Sequence, residues 1–290
     1  MPEGSALTIP AKINWDLRVL GRRPDGLHEL RSWFLAVEGG DRLAWRPGAS
    51  GLQVTGPAAA GVPADEGNLV LRAEAAWRQA GGRAPAGGWF LHKEIPAGSG
   101  LGGGSGDAAA ALRLLQAAAG APLDGEVLRA VARTLGADLL FFLEGRDAEL
   151  RGGTGDTVLA RAEPPAGEVL LALPPFAVPT APVYARSGAA PWRPGAVEEE
   201  APASLPPPAA ARNDLEAAAC SAVPAMQAFL DALRRYAPFR MSGSGGACFL
   251  YLDAGEAAPA GLRRDPALDG VRFRRAAIQR GPVLGEAVAW

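Results

Sequence analysis

Lysine, histidine, asparagine and cysteine are all scarce in this chain. Lysine occurs only at Lys12 and Lys93, histidine only at His28 and His92, and asparagine only at Asn14, Asn68 and Asn213. The two cysteines, Cys220 and Cys248, make no disulfide framework and have no metal-ligand spacing. Cys248 lies in Ala247-Cys-Phe-Leu-Tyr, where a small buried apolar residue is expected. Net charge is also lacking: the formal value is −2, which holds no polyanion and argues against nucleic acid as a partner. The one basic cluster, Arg263 to Arg280, alternates with apolar residues and reads as a solvated strand face. No apolar run approaches the roughly 18 residues of a membrane span, so no membrane association is expected. The first residues carry no charged stretch followed by an apolar one, so a cytoplasmic protein is expected. The 48% apolar and 21% charged fractions are globular values, and 290 residues allow one large domain or two ordinary ones. A chain that uses arginine almost everywhere yet keeps two ammonium groups suggests two sites that need a compact cation of tunable pKa.

Glycine is abundant, and its placement is informative. Six glycines lie between Gly98 and Gly106, after the apolar run Trp89-Phe-Leu and before the helix formers Ala108 to Gln116. A strand, a glycine loop and a helix start together form an anion cradle. The first helical N–H groups have no intrahelical partner, and the helix dipole adds positive potential there. A Walker A loop is excluded, because the stretch ends Gly104-Ser105-Gly106 without Gly-Lys-Ser/Thr. Gly98-x-Gly100-x-x-Gly103 matches the dinucleotide fingerprint. The acidic residue at the right distance, Asp124, lies in a turn before another helix rather than at a strand end. A flexible linker is the remaining reading, and the flanking strand and helix disfavour it.

The rest of the chain reads in order. Thr8 to Leu20 alternates as a half-buried strand, with Ile13, Trp15, Leu17 and Val19 on one face and Lys12, Asn14 and Asp16 on the other. A turn at Gly21–Gly26, a strand Leu27–Val37 and a strand Arg42–Trp45 suggest a β-meander. A helix is expected over Asn68–Gln79 and another near 125–135, followed by the apolar run Leu139 to Leu143 with Asp138 at its head. Glu149 to Leu159 suggests a hairpin and Glu168–Pro174 a buried strand. Residues 187–211, with the Glu198–Glu200 run, suggest a mobile surface loop. Asn213 opens a helix interrupted near Pro224. The glycine turn Ser242–Gly246 leads into a strand, and a last helix and a strand Val271–Ile278 follow. Strands and helices in the second half alternate in an α+β manner.

Three stretches together resemble the GHMP kinase superfamily: Pro10-Ala-Lys-Ile-Asn14, the loop from Pro96 to Ser105, and Ser242-Gly-Ser-Gly-Gly246. Within it, Gly21-Arg-Arg-Pro-Asp-Gly-Leu-His-Glu-Leu30 is similar to the signature of the 4-diphosphocytidyl-2-C-methyl-D-erythritol kinases of the non-mevalonate isoprenoid pathway. Asn68-Leu-Val, Leu135 to Leu143 and Asn213-Asp-Leu-Glu fall where that family has similar segments. The resemblance spans nearly the whole chain. It implies a two-domain α+β fold with the active site in the cleft between an ATP-binding domain, 1–158, and a substrate-side domain, 159–290. It further implies ATP as co-substrate with Mg²⁺, a small-molecule alcohol as acceptor, and a monomer or weak homodimer.

Residue by residue, the resemblance makes Asp138 the catalytic base and Lys12 its partner at the reacting hydroxyl. Without it, Asp138 reads as a cap and Lys12 as a solvated strand lysine. Gly98, Ser99, Gly100, Leu101, Gly102, Gly103, Gly104 and Ser105 would hold the phosphates, with Ser105 near the β/γ-phosphates or Mg²⁺. Asn68, Leu69, Val70, Lys93 and Pro96 would form the adenosine pocket, Asn68 also serving as an N-cap. Asn14, His28, Thr180 and Tyr184, with Asp138, would face the substrate, His28 at the cytosine edge and Tyr184 on its face. The chain departs from the family at Leu27, where tyrosine is usual, and at Ser99, Gly106 and Asp107. Asp107 is expected to face away from phosphate and cap its helix. The protein ligands of Mg²⁺ are left unassigned. Two other readings are a homoserine- or mevalonate-type kinase and a dinucleotide-dependent oxidoreductase.

Overall fold

The computed structural model describes residues 4–192 and 202–289. The first strand pair departs from the expected meander. β1 (Ser5–Thr8) and β2 (Ala11–Arg22) are separate strands in different sheets, because Ile9-Pro10 breaks the ladder between them. β3 (His28–Val37) pairs antiparallel with β2, and β4 (Arg42–Pro47) returns to pair with β1. β5 (Leu52–Thr55) is a short parallel strand without enough alternation to be recognised in the sequence.

α1 (Leu69–Gln79) starts where Asn68 caps it, its side chain accepting from the Val70 N–H. β6 (Gly87–His92) leads to the glycine loop. α2 (Gly103–Ala118) begins five residues earlier than the alanine run suggests. α3 (Gly125–Leu135) is capped by Asp124, and α4 (Leu139–Glu144) buries every residue from Leu139 to Leu143. The hairpin β7 (Ala148–Gly152) and β8 (Thr157–Ala162) completes a four-stranded sheet in the order β2-β3-β7-β8.

The remainder contains β9 (Gly167–Leu173), α5 (Thr180–Ala185), α6 (Glu216–Ala222), α7 (Pro224–Arg234), β10 (Arg240–Met241), β11 (Cys248–Asp253), β12 (Arg272–Ala277) and β13 (Val288–Ala289). Pro224 starts α7 at the position where its missing N–H costs nothing. The expected last helix is two 3₁₀ turns, Leu262–Arg264 and Pro266–Leu268, each too short for an α-helical ladder. β10-β11-β9-β12 form a second four-stranded sheet, and β13-β1-β4-β6-β5 a five-stranded one.

Three apolar clusters hold these layers. α1, α2 and α4 pack on the five-stranded sheet through Trp77, Leu112, Phe141, Leu43 and Trp89. The two four-stranded sheets share a core of Ile13, Trp15, Trp33, Leu171 and Phe249. α6 and α7 cover the far side of β9 and β11 through Leu215, Met226, Leu230 and Leu250. No helix among the described residues is long and apolar enough to cross a membrane.

The 187–211 segment is anchored at its described flanks, unlike a free loop. Trp192 N–H donates to Arg22 O at 2.8 Å, and the Trp15 indole N–H donates to Pro206 O at 2.8 Å. The Glu198–Glu200 run lies outside the described residues.

Candidate active site

The site is built where β2, the glycine loop and the Ser242–Gly246 turn interlock. Lys12 N–H donates to Leu101 O at 2.9 Å, and Ala247 N–H to Ser99 O at 2.9 Å. Ser242 Oγ accepts from Asn14 N–H at 3.2 Å and donates to Gly100 O at 3.2 Å. The two glycine segments touch backbone to backbone. A Cβ on Gly100, whose φ is +79°, would stand 2.2 Å from Ser242 O. Gly102 takes the left-handed conformation (φ 73°) that turns the loop into α2.

The first helical bond of α2 runs from Gly106 N–H to Gly102 O at 2.9 Å. The N–H groups of Gly103, Gly104 and Ser105 therefore have no intrahelical partner, which is the arrangement that receives an anion. These residues line a cleft of ≈ 1320 Å³ with Pro96, Gly98, Ser99, Gly100 and Gly102. That volume exceeds the roughly 300–1,000 Å³ of a pocket for one small ligand.

Lys12 and Asp138 meet at the cleft wall. Lys12 Nζ donates to Asn14 Oδ1 at 2.6 Å, lies 3.4 Å from Asp138 Oδ2, and sits 4.9 Å from the Phe34 ring centroid. Asn14 is oriented by its other bond, from Nδ2 to Ser32 Oγ at 2.8 Å, and Ser32 Oγ in turn donates to Asp16 O at 2.6 Å. The Lys12 side chain is 5% exposed and that of Asp138 is 28%. The polar side of β2 is thus buried, correcting the half-buried expectation. Asp138 precedes α4 but makes no capping bond, so its carboxylate is left to Lys12 and the cleft.

β2 does not keep one polar face. Its pairing with β3 slips between Asn14 and Asp16, a bulge at Trp15. Asp16 is turned away from Lys12 and accepts from Arg212 N–H at 2.8 Å and Arg18 Nε at 3.0 Å.

At one end of the cleft the His28 and Tyr184 rings lie 4.9 Å apart, tilted by 37°. Burial, and then the Arg22 guanidinium, push the His28 pKa below its ordinary value. Burial, and then the Asp138 carboxylate, push the Tyr184 phenol up, so it stays protonated. Thr180 Oγ1 accepts from Ser244 Oγ at 3.1 Å. Leu27 lies on the same wall, 55% exposed.

At the other end Asn68 and Leu69 line the cleft. The Asn68 amide is already used, accepting from Val70 N–H at 2.9 Å and donating to Pro63 O at 2.7 Å. The Val70 and Leu101 side chains point into the core rather than the cleft. Lys93 lines the cleft but is 3% exposed and held by two carboxylates, Asp41 and, at 2.6 Å, Asp107. Asp107 therefore neither caps α2 nor faces solvent. Sequence reasoning missed Asp41, Ser32, Phe34 and the role of Ser242. Asp41 sits in Gly39-Gly-Asp-Arg, where it resembles an ordinary turn residue, and only the Ser242–Gly246 motif signalled the late turn.

Known proteins resemble this chain in sequence and in fold. The model of the GHMP kinases N terminal domain matches residues 68–146. The 4-diphosphocytidyl-2-C-methyl-D-erythritol kinase of Parvibaculum lavamentivorans is 41% identical over 266 residues, 87% of this chain and 90% of that one. The chain belongs to the 4-diphosphocytidyl-2-C-methyl-D-erythritol kinase family. The Halorhodospira halophila member of this kinase family is 38% identical, covering 98% of this chain and 96% of its own. A crystal structure of 4-(cytidine 5'-diphospho)-2C-methyl-D-erythritol kinase superposes with TM-score 0.69 at 35% identity, covering 95% of this chain and 100% of that one. Homoserine kinase from Cytophaga hutchinsonii shares the fold alone, with TM-score 0.62 at 15% identity over 99% of this chain and 98% of that one. The α+β GHMP kinase fold expected of the kinase family is the fold observed.

Proposed function

We propose that this ATP-dependent kinase transfers the ATP γ-phosphoryl group to the 2-hydroxyl of 4-diphosphocytidyl-2-C-methyl-D-erythritol, a step in making isoprenoid precursors. Family membership supports the reaction. The observation that carries the mechanism is the Lys12–Asp138 pair, 3.4 Å apart, in the same cleft as the free amides of Gly103–Ser105.

In this reading the hydroxyl oxygen attacks the γ-phosphorus as the bond to the β-phosphate oxygen breaks, and the leaving electrons go to ADP. Asp138 accepts the hydroxyl proton. Lys12, fixed by Asn14, stabilises the oxygen as its proton leaves. Gly98 to Ser105 orient the triphosphate through backbone amides, and Asn68, Leu69 and Pro96 wall the adenosine. His28 and Tyr184 take the cytosine, while Asn14 and Thr180 lie along the acceptor.

The oxygen donors in the cleft also fit Mg²⁺. No group of three or more His, Cys, Asp or Glu side chains able to hold a metal occurs among the described residues. The Ser105 hydroxyl is the candidate donor, and Mg²⁺ ordinarily relies on one or two protein oxygens plus phosphates. It would neutralise charge on the transferring phosphoryl group. We propose the division at residue 158/159 for the ATP and substrate halves, and a monomer or weak homodimer.

The test is coupled ADP release over a panel of alcohols. Turnover confined to the cytidine diphosphate-linked substrate supports the proposal. Preference for homoserine or mevalonate would replace it with the corresponding GHMP kinase activity.

A further inference from the structure

Of the three asparagines, Asn14 holds Lys12 and Asn68 caps α1, while Asn213 has no task in the mechanism above. Asn213 is half-buried just before α6. Its Nδ2 donates to Met241 O at 2.9 Å and to Gly243 O at 2.8 Å, and its Oδ1 accepts from Leu215 N–H at 3.0 Å. Carbonyl oxygens can only accept, so the amide nitrogen must face the Ser242–Gly246 turn. Both of its protons and its oxygen are thereby used. The bond to Leu215 N–H is an ordinary turn bond, which an aspartate or serine would make as well. The two donors are what asparagine adds, because neither of those side chains carries two N–H groups.

The two carbonyls flank Ser242, which is fully buried. Ser242 Oγ accepts from Asn14 N–H and donates to Gly100 O, each at 3.2 Å. Gly243 has φ +59°, and a Cβ built on it would stand 3.1 Å from Asn14 Oδ1, 3.1 Å from Gly100 O and 3.4 Å from Lys12 Nζ. The turn thus lies against the Lys12–Asn14 pair. Asn213 is also fixed to the strand that carries this pair. Leu17 N–H donates to Arg212 O at 2.8 Å, Asp214 N–H to Leu17 O at 3.0 Å, and Val19 N–H to Asp214 Oδ2 at 3.0 Å.

We propose that Asn213 is a positioning residue for phosphoryl transfer. It pins the carbonyls on either side of Ser242, so that the turn holds Lys12 and Asn14 in place beside the glycine loop. This inference rests on the kinase reading above and on the part Lys12 plays in it. Asn213 is not among the residues that line the cleft, so it acts through the turn and not on the ligands. Asn213→Asp keeps the size of the side chain and the acceptor for Leu215 N–H, but turns an oxygen toward two carbonyl oxygens. The turn then shifts away from Lys12, which slows the chemical step and leaves the adenosine and pyrimidine ends of the cleft intact.

The experiment is a double-mutant cycle read by rapid-quench single-turnover transfer from ATP, with Mg²⁺, to 4-diphosphocytidyl-2-C-methyl-D-erythritol. The proteins are the wild type, Asn213→Asp, Lys12→Met and the double variant, with steady-state KM values measured alongside. Asn213→Asp should lower the transfer rate about tenfold with both KM values within about twofold of the wild type. In the Lys12→Met background the same substitution should cost less than about twofold, because the group it positions is gone. A loss of about tenfold in both backgrounds would overturn the proposal, since a general structural defect is additive with Lys12→Met. An unchanged rate, or a loss confined to KM, would overturn it too. If Asn213→Asp does not fold, Asn213→Ser, which keeps the acceptor and at most one donor, is read in the same cycle with the same outcomes. Lys12→Met at the wild-type rate would remove the role of Lys12 and the proposal with it. A wild type that transfers nothing to this alcohol would sink the kinase reading itself, which separates that failure from a failure at Asn213.

Discussion

Replacing Gly100 by alanine tests whether the contact between the two glycine segments sets the site. Gly100 has φ +79°, and the added Cβ would meet Ser242 O at 2.2 Å and Gly245 N at 2.8 Å. Both neighbours are backbone atoms, so no side chain can rotate away. The left-handed conformation costs an alanine about 1–2 kcal/mol. Relieving the overlap needs a backbone shift of about 1 Å, and overpacking of that kind costs a further ~1–3 kcal/mol. The expected loss is about 2–5 kcal/mol, or roughly 4–20 °C in Tm at about 2–4 °C per kcal/mol. The same shift loosens the Lys12–Leu101 and Ala247–Ser99 bonds that hold the loop against β2 and the late turn. A misplacement of about 1 Å in a phosphoryl-transfer site lowers kcat/KM by about 10²-fold. Thermal melting and steady-state kinetics with ATP measure both effects. Gly120→Ala is the control, since a Cβ there meets nothing within 4 Å. A Gly100→Ala protein with a Tm within about 1 °C of the wild type and normal kcat/KM would refute this reasoning, because overlap at backbone atoms cannot cost so little.

Three further outcomes follow from the cleft. Tyr184→Ala should raise KM for the cytidine substrate by about 10- to 100-fold, the worth of one base–aromatic stack, and leave KM for ATP nearly unchanged; the reverse pattern would place the pyrimidine elsewhere. Lys12→Met should lower kcat by about 10²–10³-fold with ATP binding retained, and a kcat near wild type in single-turnover measurements would remove Lys12 from the chemistry. His28 has a folded pKa below 6.5, so the folded protein binds fewer protons there than the unfolded chain. Its contribution to stability is present above pH 6.5 and is lost as pH falls through the folded value. Urea unfolding from pH 7 down to 5 should show a small loss of stability that His28→Gln lacks, and parallel curves would contradict the assignment.

Which features were legible follows from which interactions are local. Asn68 as an N-cap, Pro224 at a helix start and the strand β6 before a glycine loop are written in neighbouring residues. Alternation along Ala11–Arg22 identifies a strand, but not the bulge at Trp15 that separates Asp16 from Lys12 and Asn14. Glycine has low helix propensity, so propensity alone marks the alanine run as the helix start, whereas α2 begins at Gly103. The partners of Lys93 are non-local: Asp41 precedes it by 52 residues, and no pattern near either residue links them. The contact of Ser242 with Gly100 spans 142 residues and exists only because two turns lacking Cβ atoms approach each other. The family resemblance placed Lys12 and Asp138 in one site, while Asn14, Ser32 and Phe34 explain how Lys12 is held there.

In the proposed mechanism Asp138 removes the proton from the cytidine-linked alcohol as ATP phosphorylates it. Rapid-quench single-turnover measurement of phosphoryl transfer, with ATP and 4-diphosphocytidyl-2-C-methyl-D-erythritol bound to wild type and to Asp138→Asn, tests it directly. The wild type should transfer to the alcohol, and Asp138→Asn should do so at a rate about 10³-fold lower, with ATP affinity unchanged. Transfer by Asp138→Asn at a rate near that of the wild type would contradict it.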